Sequence, residues 1–87
     1  MNTYFIFHAD PSHAWLEVNQ NDIRHIGLKE SDFSRYSYYH GNKLFLEEDQ
    51  DAGVFIKAYK IKHGKDPIIK ERYQDAESVI RSYGRLN

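Results

Sequence analysis

The segment Ala9-Asp10-Pro11-Ser12 separates two short runs of β-forming residues near the start of the chain. Thr3 to His8 is rich in aromatic and β-branched residues, and Trp15 to Val18 continues that bias after the break. Aspartate followed by proline and serine is typical of a tight turn, because proline fixes φ and short polar side chains bond the nearby backbone. The pattern predicts an antiparallel hairpin, so the rest of the chain must pack on a sheet.

Two further segments extend this framework. The segment NQNDIRHIGL predicts a short helix, which Asn19 or Asn21 caps and Gly27 ends. The segment FSRYSYYHGNKLFLEE has a period of two on either side of HGN, which is typical of a second hairpin. These segments add one helix and two strands to the predicted fold.

The clearest helical pattern lies in EDQDAGVFIKAYKIKHG. Asp49 or Asp51 is predicted to cap this helix, and Gly64 is predicted to end it. The segment DPIIKERY predicts a fifth strand from Ile68 to Tyr73, because β-branched and aromatic residues frame it. Residues 75–83 fit a short helix and an edge strand equally well.

Together these elements predict one α+β domain over residues 1–87, in the order β-β-α-β-β-α-β. The sheet is expected to have five mostly antiparallel strands, with two helices on one face. Since 87 residues contain no cysteine, the chain has no disulfide and no thiolate ligand for zinc, and it relies on a small hydrophobic core. That size leaves no room for a separate cofactor domain, so we expect no cofactor.

The first ten residues, MNTYFIFHAD, contain no basic leader and only a four-residue apolar run. The apolar region of a signal peptide takes about 7–15 residues, and a membrane-spanning helix takes about 20. We therefore expect a soluble, cytoplasmic protein that does not enter a membrane.

Three stretches carry a resemblance to other proteins: HADPSHAWLEV, SRYSYYHGNKLFLEEDQDAGVF and IRSYGRL. They resemble a group of small uncharacterised bacterial, plasmid and bacteriophage proteins with the pattern His-Asp-x-x-His-x-Trp-Leu-x-Val, then Tyr-Ser-Tyr, then Leu-Glu-Glu-Asp-x-Asp-Ala. Here one residue, Ala9, is inserted between His8 and Asp10. The resemblance implies no particular activity. It implies a bacterial or phage setting, in which short accessory proteins often bind a component of the host or of its defences.

The surface composition favours a binding role. Seven tyrosines offer apolar area with a polar tip, which suits contact surfaces. Residues 1–51 carry a net charge of −5 and residues 52–87 a net charge of +4, an asymmetry that can steer a charged partner. We therefore predict a non-enzymatic protein, monomeric or homodimeric, that binds a macromolecular partner. Its predicted contact residues are Trp15, Tyr36, Tyr38, Tyr39, His40, Glu47, Glu48 and Asp49, with core packing as the alternative role of Trp15.

The residues around the first turn allow a second hypothesis. His8, Asp10 and His13 flank the turn, where imidazole and carboxylate groups could hold a metal ion. The alternative is that Asp10 builds the turn by accepting hydrogen bonds from nearby backbone amides. If the turn lies beside Glu48, then His13, Asp10 and Glu48 form a candidate metal site for a hydrolase or nuclease.

Other function classes have weaker support. The tyrosines of RYSYYHGN could stack on single-stranded bases, but only Arg35 and Lys43 lie nearby to meet phosphates. A protein partner is therefore preferred over nucleic acid. The acidic segment LEEDQDA lacks the glycine and final glutamate of an EF-hand loop. The chain also has no glycine-rich phosphate loop, no Gly-x-Ser-x-Gly motif and no His-Glu-x-x-His motif.

Overall fold

The part of the chain that the structure describes, residues 3–87, forms six strands and two α-helices in this computed structural model. Residues 1–2 belong to the predicted domain and to the N-terminal stretch that was predicted to lack a leader. They lie outside the described residues. No helix in the described range is long and apolar enough to cross a membrane. The elements are β1 (Tyr4–Ala9), β2 (Ala14–Asn19), α1 (Gln20–His25), β3 (Tyr38–His40), β4 (Lys43–Glu47), α2 (Asp51–His63), β5 (Ile68–Tyr73) and β6 (Gly84–Arg85).

The strands form one mixed sheet in the order β5-β1-β2-β4-β3-β6. The turn at Pro11 joins β1 and β2 as an antiparallel hairpin, with His8 opposite Trp15. The pairs β2–β4, β4–β3 and β3–β6 are also antiparallel, whereas β5 runs parallel to β1. The α+β class and both predicted hairpins are confirmed.

The prediction of a mostly antiparallel sheet holds for four of its five strand pairs, but the sheet has one parallel pair, and it has six strands instead of the predicted five. First, β5 is parallel to its neighbour, because α2 carries the chain over the sheet from β4, and such a crossover joins strands that run in the same direction. Second, a sixth strand follows the predicted order, and its two residues are too few to show a period. Within the segment 75–83, predicted as a short helix or an edge strand, Val79–Ser82 forms a short 3₁₀ helix that Ser78 caps.

One face of the sheet packs against both helices, as predicted. Alternation along the strands places most of their buried apolar side chains on this face, where they meet the buried faces of α1 and α2. The rings of Phe5 and Phe55 meet edge to face, with their centroids 5.1 Å apart. The main buried members of this core are Phe5, Leu16, Val18, Ile23, Leu44, Leu46, Phe55 and Tyr59.

Helix α1 begins at a capping box. Asn19, one of its two predicted caps, accepts the Asp22 N–H at 2.8 Å, and the Asp22 carboxylate accepts the Asn19 N–H at 3.0 Å. At the end of α2, Gly64 adopts the predicted left-handed conformation with φ 74°. Both sequence predictions are therefore confirmed.

The start of α2 differs from the prediction. Gln50 precedes the first helical residue and makes no side-chain capping bond, so neither Asp49 nor Asp51 is the cap. Asp51 is instead buried and accepts the Ser34 N–H at 3.0 Å and the Ser34 hydroxyl at 2.7 Å, together with the Ser37 hydroxyl. The carboxylate thereby ties the helix to the loop that leads into β3.

The second face of the sheet is crossed by residues 74–83, which we call the crossing segment. The segment leaves β5 at one edge, where the Gln74 N–H donates to the Ala9 carbonyl at 3.0 Å, and it reaches β6 at the opposite edge. Between the two edges it buries Ile80 in a second, smaller core. The other buried residues of that core are Trp15, Tyr38 and Phe45.

Candidate partner-binding groove

A groove of about 410 Å³ opens on the second face, between the end of the crossing segment and the start of α2. We call this surface the groove. Among its lining residues are five of the eight predicted contact residues, His13 from the metal hypothesis, and two arginines that the sequence reasoning missed. Those predicted contacts are Trp15, Tyr36, Tyr38, Glu47 and Asp49, and the arginines are Arg81 and Arg85.

Strand register explains why most of these side chains share one face. Trp15 lies directly opposite Glu47 in the β2–β4 pair, and Tyr38 lies directly opposite Arg85 in the β3–β6 pair. Directly opposed residues of antiparallel strands project to the same side of a sheet. The groove is therefore a product of two antiparallel pairings and not of local sequence.

The two arginines lie over aromatic rings of the groove. The Arg81 guanidinium is 5.3 Å from the Trp15 ring centroid, and the Arg85 guanidinium is 5.2 Å from the Tyr38 centroid. Both distances fall in the range of a cation–π contact. Because the chain's own cations lie over these rings, the groove presents guanidinium groups rather than open aromatic faces.

Asp10 holds one side of the groove in place. Its carboxylate accepts the N–H groups of Ser12 and His13 at 3.0 and 2.9 Å within the turn, and the Ser78 N–H at 2.9 Å across the face. Arg81 donates to it through Nε and Nη2 at 3.2 and 3.1 Å. The turn-building role considered for Asp10 is therefore confirmed, and the same carboxylate also fixes the crossing segment on the sheet.

Two carboxyl groups, those of Asp10 and Glu17, have pKa values below their ordinary values. Burial by itself raises the pKa of Asp10, but the N–H groups of Ser78, His13 and Ser12 and the Arg81 guanidinium outweigh it and lower the pKa well below its ordinary range. Burial likewise raises the pKa of Glu17, but hydrogen bonds and charge from its neighbours lower it overall. These neighbours are His8, 2.7 Å from Glu17, and Lys43, 3.2 Å from it.

These lowered pKa values predict a loss of stability in acid. A carboxyl group whose pKa is lower in the folded chain stabilises the fold above its unfolded pKa, about 4, and that contribution is lost as the pH falls through the folded value. We expect the melting temperature to fall steadily below about pH 4. Glu17→Gln should reduce the slope in this range. A melting temperature that stays flat from about pH 6 to pH 3 would contradict this assignment.

The acidic side of the groove is organised by Glu47. Its carboxylate accepts the Asp49 N–H at 2.7 Å and the Gln50 N–H at 3.0 Å, in the turn that leads into α2. Its own N–H donates to the Ser37 hydroxyl at 2.9 Å. The Asp49 side chain remains exposed. The groove thus has carboxylates on one side and arginines on the other.

Three predicted contact residues lie outside the groove. Tyr39 projects from the helix-covered face, with its ring against Gly84, where an added β-carbon would lie 2.6 Å from the ring. The His40 ring stacks on Tyr83 with centroids 4.4 Å apart. Glu48 is exposed and follows the end of β4. The structure therefore separates Tyr39, His40 and Glu48 from the other predicted contacts.

The structure does not bring the predicted metal ligands together. The first turn does lie beside Glu48, whose N–H donates to the Ala14 carbonyl at 3.1 Å. However, the Asp10 carboxylate is already surrounded by N–H donors, and His8 is paired with Glu17. Within residues 3–87, no group of three histidine or carboxylate side chains is arranged to hold a metal ion.

The sequence analysis did not predict the arginines of the groove, because they lie far along the chain from the other residues that line it. Arg81 bonds a carboxylate 71 residues earlier, and its segment was ambiguous between helix and strand. A signal was present in IRSYGRL, where Arg81, Tyr83 and Arg85 recur with a period of two. That spacing is typical of an extended segment, whereas Arg81 lies in the 3₁₀ helix Val79–Ser82, so the pattern indicates the basic residues but not their conformation.

The groove holds its charged groups in fixed positions. The Asp10 and Glu47 carboxylates are held by backbone N–H groups, and in the described residues the Arg85 guanidinium has no carboxylate within ion-pair distance. Such a surface can exchange its water for the polar and aromatic groups of another molecule.

A scan of protein-family models, a search of curated proteins and a search of solved structures each found no match to this chain.

Proposed function

We propose that this chain is a small non-enzymatic accessory protein that binds a protein partner through the groove. The observation that carries the proposal is the placement of exposed Tyr36, Arg85 and Asp49 around a buried aromatic floor. Tyr36 is 55% exposed, whereas Trp15, which also lines the groove, is 3% exposed and packed in the second core. Tyrosine, tryptophan and arginine are the residues most enriched at the energetic centres of protein interfaces.

The charge pattern supports a polypeptide partner over a nucleic acid. Nucleic-acid surfaces neutralise phosphates with clustered cations, whereas Glu47 and Asp49 set negative charge beside Arg81 and Arg85. A peptide segment or protein surface can present charges of both signs to match. The resemblance to small bacterial and phage proteins supports a partner from a bacterial host or its defences.

The state of the carboxylates supports binding rather than catalysis. A general acid or base must be free to exchange a proton with a substrate. Asp10 instead anchors the crossing segment, and Glu47 accepts two backbone N–H groups ahead of α2. Both carboxylates therefore serve the shape of the groove.

The proposal is tested by capture from a bacterial lysate with the immobilised chain as bait. The double variant Tyr36→Ala, Arg85→Glu removes an exposed ring and reverses a charge at the groove. We expect it to bind the captured partner about tenfold more weakly or worse, the loss typical of central interface residues. Circular dichroism should show an unchanged fold, because both side chains are exposed.

A matched control changes the far side of the molecule. Lys60→Glu, Ile61→Ala reverses one charge and truncates one exposed apolar side chain on α2, where Ile61 is 77% exposed. This variant should capture the partner as well as the unmodified chain does. Equal capture by the groove variant, or a captured species removed by nuclease, would contradict a protein-binding groove.

A further inference from the structure

Strand β5 is an edge strand that is uncovered on both sides of the sheet. It pairs with β1 alone and ends the strand order, and all six of its residues are exposed. Ile68 is 59% exposed and Tyr73 57% exposed, and the neighbouring Tyr4 of β1 is exposed as well. Apolar side chains thus lie at both ends of β5 and charged side chains in its middle. The open edge of the strand is a place where a further strand can be added.

The backbone of β5 has groups directed towards such a strand. The Ile68 N–H donates to the Thr3 carbonyl at 3.1 Å, and the Gln74 N–H donates to the Ala9 carbonyl. In a parallel ladder, alternate residues direct both backbone groups to the same neighbour. The N–H and C=O groups of residues 69, 71 and 73 therefore point away from β1, towards the open edge.

A second copy of this chain does not suit the edge. In a continuous antiparallel sheet across a two-fold axis, outward-directed residues of one strand oppose outward-directed residues of the other. Every register that engages at least two of these residues sets Lys70 opposite Lys70, Glu71 opposite Glu71, or Arg72 opposite Arg72. Like charges directly opposite each other destabilise a strand pair, so self-pairing is disfavoured.

We propose that β5 accepts an extended segment of a different protein, with acidic residues opposite Lys70 and Arg72. Both cations project from the second face with Ile68, as the alternation of the strand requires. Acidic residues opposite them would turn the repulsion of self-pairing into attraction, with a basic residue opposite Glu71. This surface goes beyond the groove, because β5 and β6 form opposite edges of the sheet.

The probe is a synthetic peptide with valines at both ends and the central order glutamate, lysine, glutamate. Its control exchanges the charges to lysine, glutamate, lysine. Fluorescence anisotropy should show the first peptide binding about tenfold more tightly, since three opposed pairs change from attraction to repulsion. The groove variant Tyr36→Ala, Arg85→Glu should bind the peptide as the unmodified chain does, so failure of one proposal is distinct from failure of the other.

Two variants locate the binding on β5. Ile69→Pro removes an outward N–H and leaves the N–H groups that pair with β1 intact, a change edge strands accept, and it should abolish binding. Its matched control, Ile69→Val, keeps the N–H and should retain binding. The double variant Lys70→Glu, Arg72→Glu should bind the control peptide more tightly than the first peptide. This variant tests whether the peptide binds at β5 if Ile69→Pro does not fold.

The proposal is overturned if both peptides bind equally or neither binds, or if folded Ile69→Pro binds unchanged. Sedimentation of the chain alone should show a monomer. A dimer that Ile69→Pro dissociates would assign the edge to a second copy instead.

Discussion

Trp15→Ala is expected to lower the free energy of unfolding by about 3–5 kcal/mol, as for other large aromatic side chains removed from a core. Trp15 is buried between the sheet and the crossing segment, edge to face with Tyr38 at 6.2 Å and beneath Arg81. Its loss would leave a cavity below the groove and remove the ring on which the Arg81 guanidinium lies. The side chain predicted as a partner contact is thus primarily a structural support for the groove.

Urea denaturation of Trp15→Ala and Trp15→Phe provides the measurement. Phenylalanine keeps most of the apolar volume, so we expect it to cost less than half as much as alanine. A loss below about 1 kcal/mol for Trp15→Ala would contradict a core role, because a surface substitution has an effect of that size.

Asp51→Ala is expected to lower the free energy of unfolding by about 3 kcal/mol, because buried donors would lose their acceptor. The carboxylate accepts the Ser34 N–H and the hydroxyls of Ser34 and Ser37, and Ser37 in turn accepts the Glu47 N–H. The substitution would therefore release the loop ahead of β3 and loosen the acidic side of the groove.

The control is Asp49→Ala, since the sequence allowed either aspartate as the helix cap. Asp49 is exposed and makes no capping bond, so its substitution should change stability by no more than about 0.5 kcal/mol. Thermal and urea unfolding of the two variants compare them directly. Equal losses, or a larger loss for Asp49→Ala, would show that the buried position assigned to Asp51 is wrong.

The sequence correctly predicted those parts of the fold that depend on residues close together in the chain. The turn at Pro11, the cap at Asn19 and the end of α2 at Gly64 each depend on residues within a few positions of one another. The alternation around the turn near Gly41 likewise placed β3 opposite β4 and brought Tyr38 to the groove. These features need no knowledge of distant partners.

The remaining features depend on contacts between distant residues. Nothing within IIKERY distinguishes a parallel from an antiparallel strand, and β6 exists only because β3 offers it an edge. Asp10 showed its turn role in the sequence, but its bonds to Ser78 and Arg81 required the crossing segment. The acidic half of the groove was therefore predictable, whereas the basic half was not.

The most direct test of the groove replaces Tyr36 with the photo-cross-linking amino acid p-benzoylphenylalanine and illuminates the chain in a bacterial lysate. The same replacement at Ile61, on the far side of the molecule, provides the reference. The groove account predicts a covalent adduct from position 36 that protease destroys, nuclease leaves intact and excess unmodified chain competes away. Adducts of equal yield from both positions, or from position 61 alone, would contradict it.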